Sequence, residues 1–444
     1  MAKTFDKMFL NVLLLGFAFM LVFTAFQTCG MIQKTVITSM KKSYENYDGD
    51  GYISLAVVYA VFSVSNWIAP SIICKLGPKV SMILGGLTYC LFIGNFFFHE
   101  TWCLYLASAI VGFGASVIWT GQGNFLTINS DSDTMSRNSG VFWALLQCSL
   151  LFGNIFVFFT FQGKSEIDDQ TRYTVFGVLL GVAIVGIVLM LFLRTNKSDS
   201  ITLSTLTSGE PEVSGAKEEF VKAFKLLKTK EMLLLALSFL YTGLELSFFS
   251  GVYGAGISFT KRFGDDAVKY VGISGICIGI GEILGGAVFG ILGKKTNKYG
   301  RDPVILLGFI THMITFYLIC INLPAEATLH ETPQRAMIES SVWIAMICAF
   351  GLGFGDSCYN TQIYSILGSM YAEESAPAFA IFKFFQSISA AAAFFYSTKL
   401  KLPYQLLILA ISGTIGTFSF WAVEWNEYVR TAKETRELQS SEKL

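Results

Sequence analysis

Four ionisable side chains lie inside apolar stretches of this sequence: Glu245, Glu282, Asp356 and Lys383. A charge at the centre of a bilayer costs about 2.5–3.5 kcal/mol on insertion scales, so such a residue is paired, buried in a bundle or put to use. Glu245 follows Thr242 by three residues, which places both on one helical face. Asp356 stacks one turn from Asn360, and Lys383 stacks on Gln386. The stretches carrying Asp356 and Lys383 are consecutive, so an Asp356–Lys383 ion pair is the simplest neutralisation. Glu245 and Glu282 then lack an obvious cationic partner. Two readings stand for them: hydrogen-bonded structural acids, or carboxyls that take up and release a proton, or bind a cation, as a cavity opens to alternate sides. Trp119, Gln122 and Asn124, in the run WTGQGN, offer an aromatic wall and amide donors, either for a substrate or for packing.

The elements that carry these residues are long apolar runs. The chain is 53% hydrophobic and 14% charged, far from the balance of a soluble domain. At about 1.5 Å per residue, roughly 20 apolar residues cross the hydrocarbon core. Twelve such runs occur, near 8–28, 52–74, 80–98, 102–125, 139–161, 174–194, 231–256, 270–293, 303–322, 342–367, 378–398 and 404–424. The sequence therefore predicts an all-α polytopic membrane protein of twelve transmembrane helices. The first run follows Lys3 and Lys7 like a signal peptide, but it is too long and lacks a small-residue cleavage pattern, so it is expected to stay as a span.

An internal repeat divides the chain. Gln27 matches Glu245 within FTAFQT and YTGLEL; Asn66 matches Glu282, with Gly77 on Gly293; Ala144 matches Lys383, with Gln147 on Gln386. Expected domains are residues 1–194 and 231–426 as six-helix bundles, joined by a linker at 195–230 and followed by a tail at 427–444. The linker begins Ser/Thr/Glu-rich and ends in EEFVKAFKLLKTK. There Phe220, Ala223, Phe224 and Leu227 share one helical face and Lys222, Lys225 and Lys228 the other, as in an interfacial helix on an anionic leaflet. The larger share of the 32 Lys and Arg falls on the side of the termini, which predicts that both termini are cytosolic. Plasma and endolysosomal membranes are not distinguished by this pattern.

Polar residues are unevenly distributed. Gln27, Asn66, Gln122, Asn124, Gln147, Asn154, Glu245, Glu282, Asp356, Asn360, Lys383 and Gln386 all fall on spans 1, 2, 4, 5, 7, 8, 10 and 11. Every third span is nearly free of them, with His312 on span 9 the internal exception, expected to bond a helix carbonyl. Eight helices can thus line a shared polar cavity, because unpaired amides cannot face lipid.

Other patterns are excluded or bland. The glycines of GICIGIGEILGGAVFG have the four-residue spacing of close helix packing and no preceding strand, so they do not bind a dinucleotide. NYDGDGYIS resembles part of a calcium loop, but its twelfth position is Val57 and an apolar span replaces the second helix. Neither a P-loop nor a catalytic constellation is present, nor a metal-like cysteine spacing nor a basic aromatic nucleic-acid surface. No cofactor or enzymatic activity is expected.

Parallel six-span halves match the architecture of the major facilitator superfamily. GFAFMLVFTAFQTCG, WTGQGNFLTINSD, NSGVFWALLQ, YTGLELSFFSGVYG, GIGEILGG and SAPAFAIFKFFQS closely resemble its uncoordinated-93-like branch. The loop after span 8 keeps the Tyr299-Gly300-Arg301-Asp302 of the superfamily's gating loops; its counterpart KLGPK at 75–79 lacks the acidic residue. The resemblance implies a transporter of a small solute working by alternating access. It equally admits a non-transporting partner of another membrane protein, since this branch includes a potassium-channel regulatory subunit and an adaptor for nucleic-acid-sensing receptors.

Overall fold

A computed structural model describes residues 2–129, 135–162, 167–194, 221, 224–265, 267–296, 301–371 and 375–441. Among the described residues the fold is carried by α1 (Ala2–Ser43), α2 (Gly51–Ser65), α3 (Ala69–Leu76), α4 (Pro78–Gly94), α5 (Thr101–Ile128), α6 (Met135–Phe161), α7 (Asp169–Leu191), α8 (Lys230–Ser247), α9 (Tyr253–Phe259), α10 (Ala267–Thr296), α11 (Asp302–Asn322), α12 (Val342–Met370), α13 (Ser375–Ser397) and α14 (Leu402–Ser441). Among the described residues, 11 helical stretches are long and apolar enough to cross a membrane. The twelfth expected span is broken. Pro70, at the start of α3, has no N–H to give the preceding turn, so the run at 52–74 splits into α2 and α3 across Asn66–Ile68.

A second break is milder. Between α8 and α9 the chain forms a π-turn, Phe248–Val252, so that Lys230–Phe259 remains one span. At the C-terminus the helix does not stop at 424. It continues to Ser441 through a tail rich in Ala, Lys, Glu, Arg and Gln, all good helix formers. The linker positions Phe220, Lys222 and Ala223 and most of the 195–230 segment lie outside the described residues; 224–227 is helical.

The pairing of helices shows the repeat. In the first half α1 packs on α6 and α7, α2 on α5, and α4 on α5 and α7. In the second half α8 packs on α13 and α14, α10 on α12, and α11 on α12 and α14. Each pair has its counterpart six spans later, and the two halves join through α6 on α10 and α2 on α13, which exchange under the same operation. This is two pseudo-symmetric six-helix bundles. The glycines of α10 serve this packing. A Cβ at Gly272, Gly275 or Gly279 would press on Phe158, Asn154 or Leu150 of α6, and one at Gly281 or Gly285 on Phe350 or Ser357 of α12.

The helices expected to face lipid are the less buried ones in part. Their most apolar stretches are 39% buried in α7 and α11 and 44% in α14, against 67% in the α8–α9 span and in α12. The α6 stretch, also at 39%, departs from that division. The calcium-loop lookalike is a helix start: Asp50 caps α2, accepting from Tyr52 N and Ile53 N, and pairs with Lys34 at 2.7 Å.

Candidate functional site

α8 turns Tyr241, Thr242 and Glu245 toward α11, α12 and α13. Tyr241 and Glu245 are four residues apart and share a face, just upstream of the π-turn. Glu245 is completely buried, and neither carboxyl oxygen receives a full hydrogen bond. Its neighbours are His312 Nε2 at 3.4 Å and the carboxyl of Asp356. Asp356 in turn accepts a hydrogen bond from Asn360 Nδ2 on Oδ1 at 2.7 Å and lies near Glu282. Glu282, on α10, has the side-chain amide of Gln147 from α6 in the other half nearby. Three carboxyls from three helices thus converge, and one lies close to a residue of the other half.

His312 was expected to bond a helix carbonyl, and Nε2 does lie 3.1 Å from Leu352 O. It does more than that. Nδ1 lies 2.5 Å from Tyr241 OH, and the ring stacks between Tyr359 and Phe316. With Nε2–H directed at the carbonyl, Nδ1 accepts the Tyr241 hydroxyl, which assigns the neutral Nε2–H tautomer. Gly355 makes room for this ring, since a Cβ there would stand 2.1 Å from Nε2.

The expected Asp356–Lys383 ion pair is not made. Lys383 Nζ donates instead to Gln386 Oε1 at 2.8 Å, and Gln386 Nε2 donates to Thr242 Oγ1 at 3.3 Å. The ammonium also lies over the Phe382 ring at 4.6 Å and the Tyr364 ring at 5.5 Å. The reason is reach: Gln386 is one turn along the same helix, while Asp356 is already held by Asn360.

The first half supplies a different wall. Gln27 Oε1 accepts a hydrogen bond from Ser149 Oγ, and Gln122 is buried. Trp119 packs on Phe19 and Phe23 and stacks on Trp143 at 5.8 Å. Asn66 is the C-cap of α2 and its Nδ2 is buried without a partner, as is Asn124 Oδ1. The twelve expected residues therefore fall into distinct groups. Glu245, Glu282, Asp356, Asn360 and Gln147 come together; Lys383 and Gln386 form an adjoining chain; Gln27, Trp119, Gln122 and Asn124 lie in the opposite half; Asn66 sits at the helix break. Tyr241 and His312 complete the carboxyl cluster and were not among the expected site residues, although the i, i+4 spacing of Tyr241 and Glu245 was a usable signal.

The end opposite the termini is tied shut across the halves. Thr35 and Ser258 share a hydrogen bond at 2.6 Å, Tyr52 OH donates to Thr328 O at 2.8 Å, and Glu331 bridges Lys42 and Lys261 at 2.8 and 2.6 Å. At the other end, Arg301, just before α11, pairs with Glu424 of α14 at 2.7 Å and Ser365 of α12 at 3.0 Å.

Comparison with known proteins fits this architecture. The family profile described as "Ion channel regulatory protein UNC-93" matches residues 43–421. The chain belongs to the UNC-93 family. Among curated relatives, UNC93-like protein MFSD11 of Xenopus tropicalis is 48% identical, over 95% of this chain and 97% of that one. Protein unc-93 homolog A of Bos taurus is 26% identical, over 94% and 93%. Solved structures with the same fold include a proton-dependent oligopeptide transporter (TM-score 0.63, 13% identity, 94% of this chain and 98% of that one) and the major facilitator FucP in its outward conformation (TM-score 0.59, 12% identity, 94% and 99%). At such identity the structural likeness fixes the fold alone. This UNC-93 family member is thus an integral multi-pass membrane protein with the major facilitator fold.

Proposed function

We propose that the protein is a proton-coupled secondary transporter of a small solute, and that Glu245, Asp356 and Glu282 form its proton-carrying cluster. The observation that carries this reading is the convergence of the Glu245, Asp356 and Glu282 carboxyls from three helices in a buried site, with Gln147 of the other half near Glu282. Buried carboxyls grouped in this way hold a proton among them, because ionising all of them would leave like charges uncompensated. His312 and Tyr241 hold the Glu245 side in place. When the halves rock, Gln147 and Glu282 separate, and the surroundings of the third carboxyl change while those of the other two do not. Proton affinity is thereby linked to which side the cavity faces.

In this reading the termini are cytosolic, residues 1–194 and 231–426 are the moving bodies, and the linker at 195–230 joins them. The tied end is then the outer gate. Proteoliposomes loaded with a pH dye and challenged with a panel of small metabolites test it. At least one solute is expected to drive a pH change that Glu282→Gln abolishes; solute flux with no proton movement sinks the coupling.

The family description favours one further reading, a regulatory subunit of an ion channel. It requires a binding surface on the lipid-facing helices α4, α7, α11 and α14 or on the loops. Co-expression with a channel whose current changes, equally with wild type and with the Glu245→Gln/Glu282→Gln variant, is the result expected of that reading and not of the transporter.

A further inference from the structure

Three basic residues buried at least in part have carboxylate partners: Lys34 has Asp50 at 2.7 Å, Arg172 has Asp169 at 3.1 Å and Arg301 has Glu424 at 2.7 Å. Lys79, near a helix end, donates to the backbone carbonyls of Leu191 and Leu193. Lys383 differs in standing inside a span. It lies about 12 Å into α13 at 1.5 Å per residue, and its hydrogen-bond partner is a neutral amide oxygen. An ammonium has three donors, so two are left to be met by another group. A half-buried cation inside a span with no ion pair is a place for an anion.

The surroundings say what kind of anion. From Lys383 the ring surface runs through Phe382 and Tyr364 to Trp143 and Trp119. Phe379 lies beside Tyr364 at 5.2 Å. Trp143 and Trp119 belong to the first half and Tyr364 and Phe382 to the second, and the Trp143–Tyr364 contact at 5.8 Å crosses the seam. The acids do not compete for this role: Glu245, Glu282 and Asp356 are 0%, 4% and 8% exposed, whereas Lys383 is half-buried.

We infer that the cargo is an amphipathic organic acid: its anionic group sits on Lys383 and its aromatic or similarly flat apolar body lies along the Trp119–Trp143–Tyr364 wall. This rests on the transporter reading and adds the substrate class. One anion bound at Lys383 and one proton at the carboxyl cluster move no net charge, which allows a proton gradient to drive the acid without opposing the membrane potential. A ligand that touches both Trp143 and Tyr364 also bridges the two moving halves, so its binding bears on their opening and closing.

The test is equilibrium binding to the purified full-length protein, read as ligand-dependent melting temperature. The probes are 3-phenylpropionate and three size-matched controls, the neutral 3-phenylpropionamide, the cationic 3-phenylpropylamine, and 3-phenylpropane-1-sulfonate as a second anion. Both anions are expected to stabilise the protein saturably, with the amide and the amine at least tenfold weaker. Lys383→Met should lose at least tenfold in affinity for both anions, Lys383→Arg should retain them, and Trp143→Leu should weaken them with the charge preference kept. Equal binding of amide or amine, no binding of either anion, or unchanged affinity in Lys383→Met overturns the inference. If Lys383→Met does not fold, Lys383→Arg and Trp143→Leu carry the same decision through the charge series. Because no gradient is present, lost anion binding and lost proton coupling in proteoliposomes are separate results.

Discussion

Gly355→Ala is the sharpest perturbation of the carboxyl cluster that leaves every ionisable group in place. The new methyl would stand 2.1 Å from Nε2 and 2.2 Å from Cδ2 of His312. That ring cannot yield, because it is fully buried, stacked on Tyr359 and Phe316, and hydrogen-bonded at Tyr241. Overpacking a close-packed interior costs about 1–3 kcal/mol. Displacing the ring also loses hydrogen bonds to Tyr241 and Leu352 worth about 1 kcal/mol each. Helix propensity returns about 1 kcal/mol on replacing Gly by Ala. The net is a loss of about 2–4 kcal/mol, read as a fall of several degrees in apparent melting temperature. Gly351→Ala is the control one turn earlier: its methyl meets Thr315 Oγ1 at 2.3 Å but Cβ only at 3.5 Å, so a hydroxyl rotation relieves it. Gly181→Ala, with nothing within 4 Å, is expected to be neutral or stabilising. In proteoliposomes, Gly355→Ala should also lose proton coupling ahead of solute binding. A Gly355→Ala protein as stable as Gly181→Ala, with coupling intact, would refute the placement of His312 against the cluster.

Other consequences follow from the two ends of the molecule. Arg301→Ala or Glu424→Ala each breaks a partly buried ion pair and should cost about 1.5–3 kcal/mol, with the charge-swapped Arg301→Glu/Glu424→Arg double variant recovering part of it in thermal melts. Thr35→Cys/Ser258→Cys places two thiols where the hydroxyls now meet at 2.6 Å; oxidation should cross-link the halves and stop transport, and reduction should restore it. Burial works against ionisation of Glu331, but Lys261 and Lys42 outweigh it and hold the carboxyl below its ordinary range. Its contribution to the closed outer end is therefore complete above an ordinary glutamate value of about 4.3 and is lost as pH falls through the lowered value. The distance between spin labels attached beforehand at Asp48→Cys and Arg335→Cys, on the two halves at this end, should then increase only below about pH 4.3, and Glu331→Gln should abolish that step.

Much of the fold was legible because a bilayer imposes a simple rule on sequence. Eleven apolar runs became spans where expected, and the alignment of FTAFQT with YTGLEL foretold the matching roles of α1 and α8 in the packing. The break at Asn66–Ile68 was signalled by Pro70, which hydropathy does not weigh. The site was legible in composition and not in pairing. Glu245, Glu282, Asp356 and Lys383 were identified as the charges within spans, but consecutive spans suggested that Asp356 would meet Lys383. The structure gives Lys383 to Gln386 and Asp356 to Asn360, and turns Asp356 toward Glu245, because helix order does not determine which faces turn together. His312 fell on a helix with few polar residues and was read as isolated; its partners Tyr241 and Glu245 come from α8, contacts that no local pattern encodes.

The central claim is that the buried carboxyls carry the coupled proton. Solute-driven pH change in proteoliposomes bearing the Glu245→Gln/Glu282→Gln variant tests it most directly, with folding verified by an unchanged melting curve. The account predicts that solute binding survives and that proton movement disappears. Wild-type proton movement in that variant would contradict it.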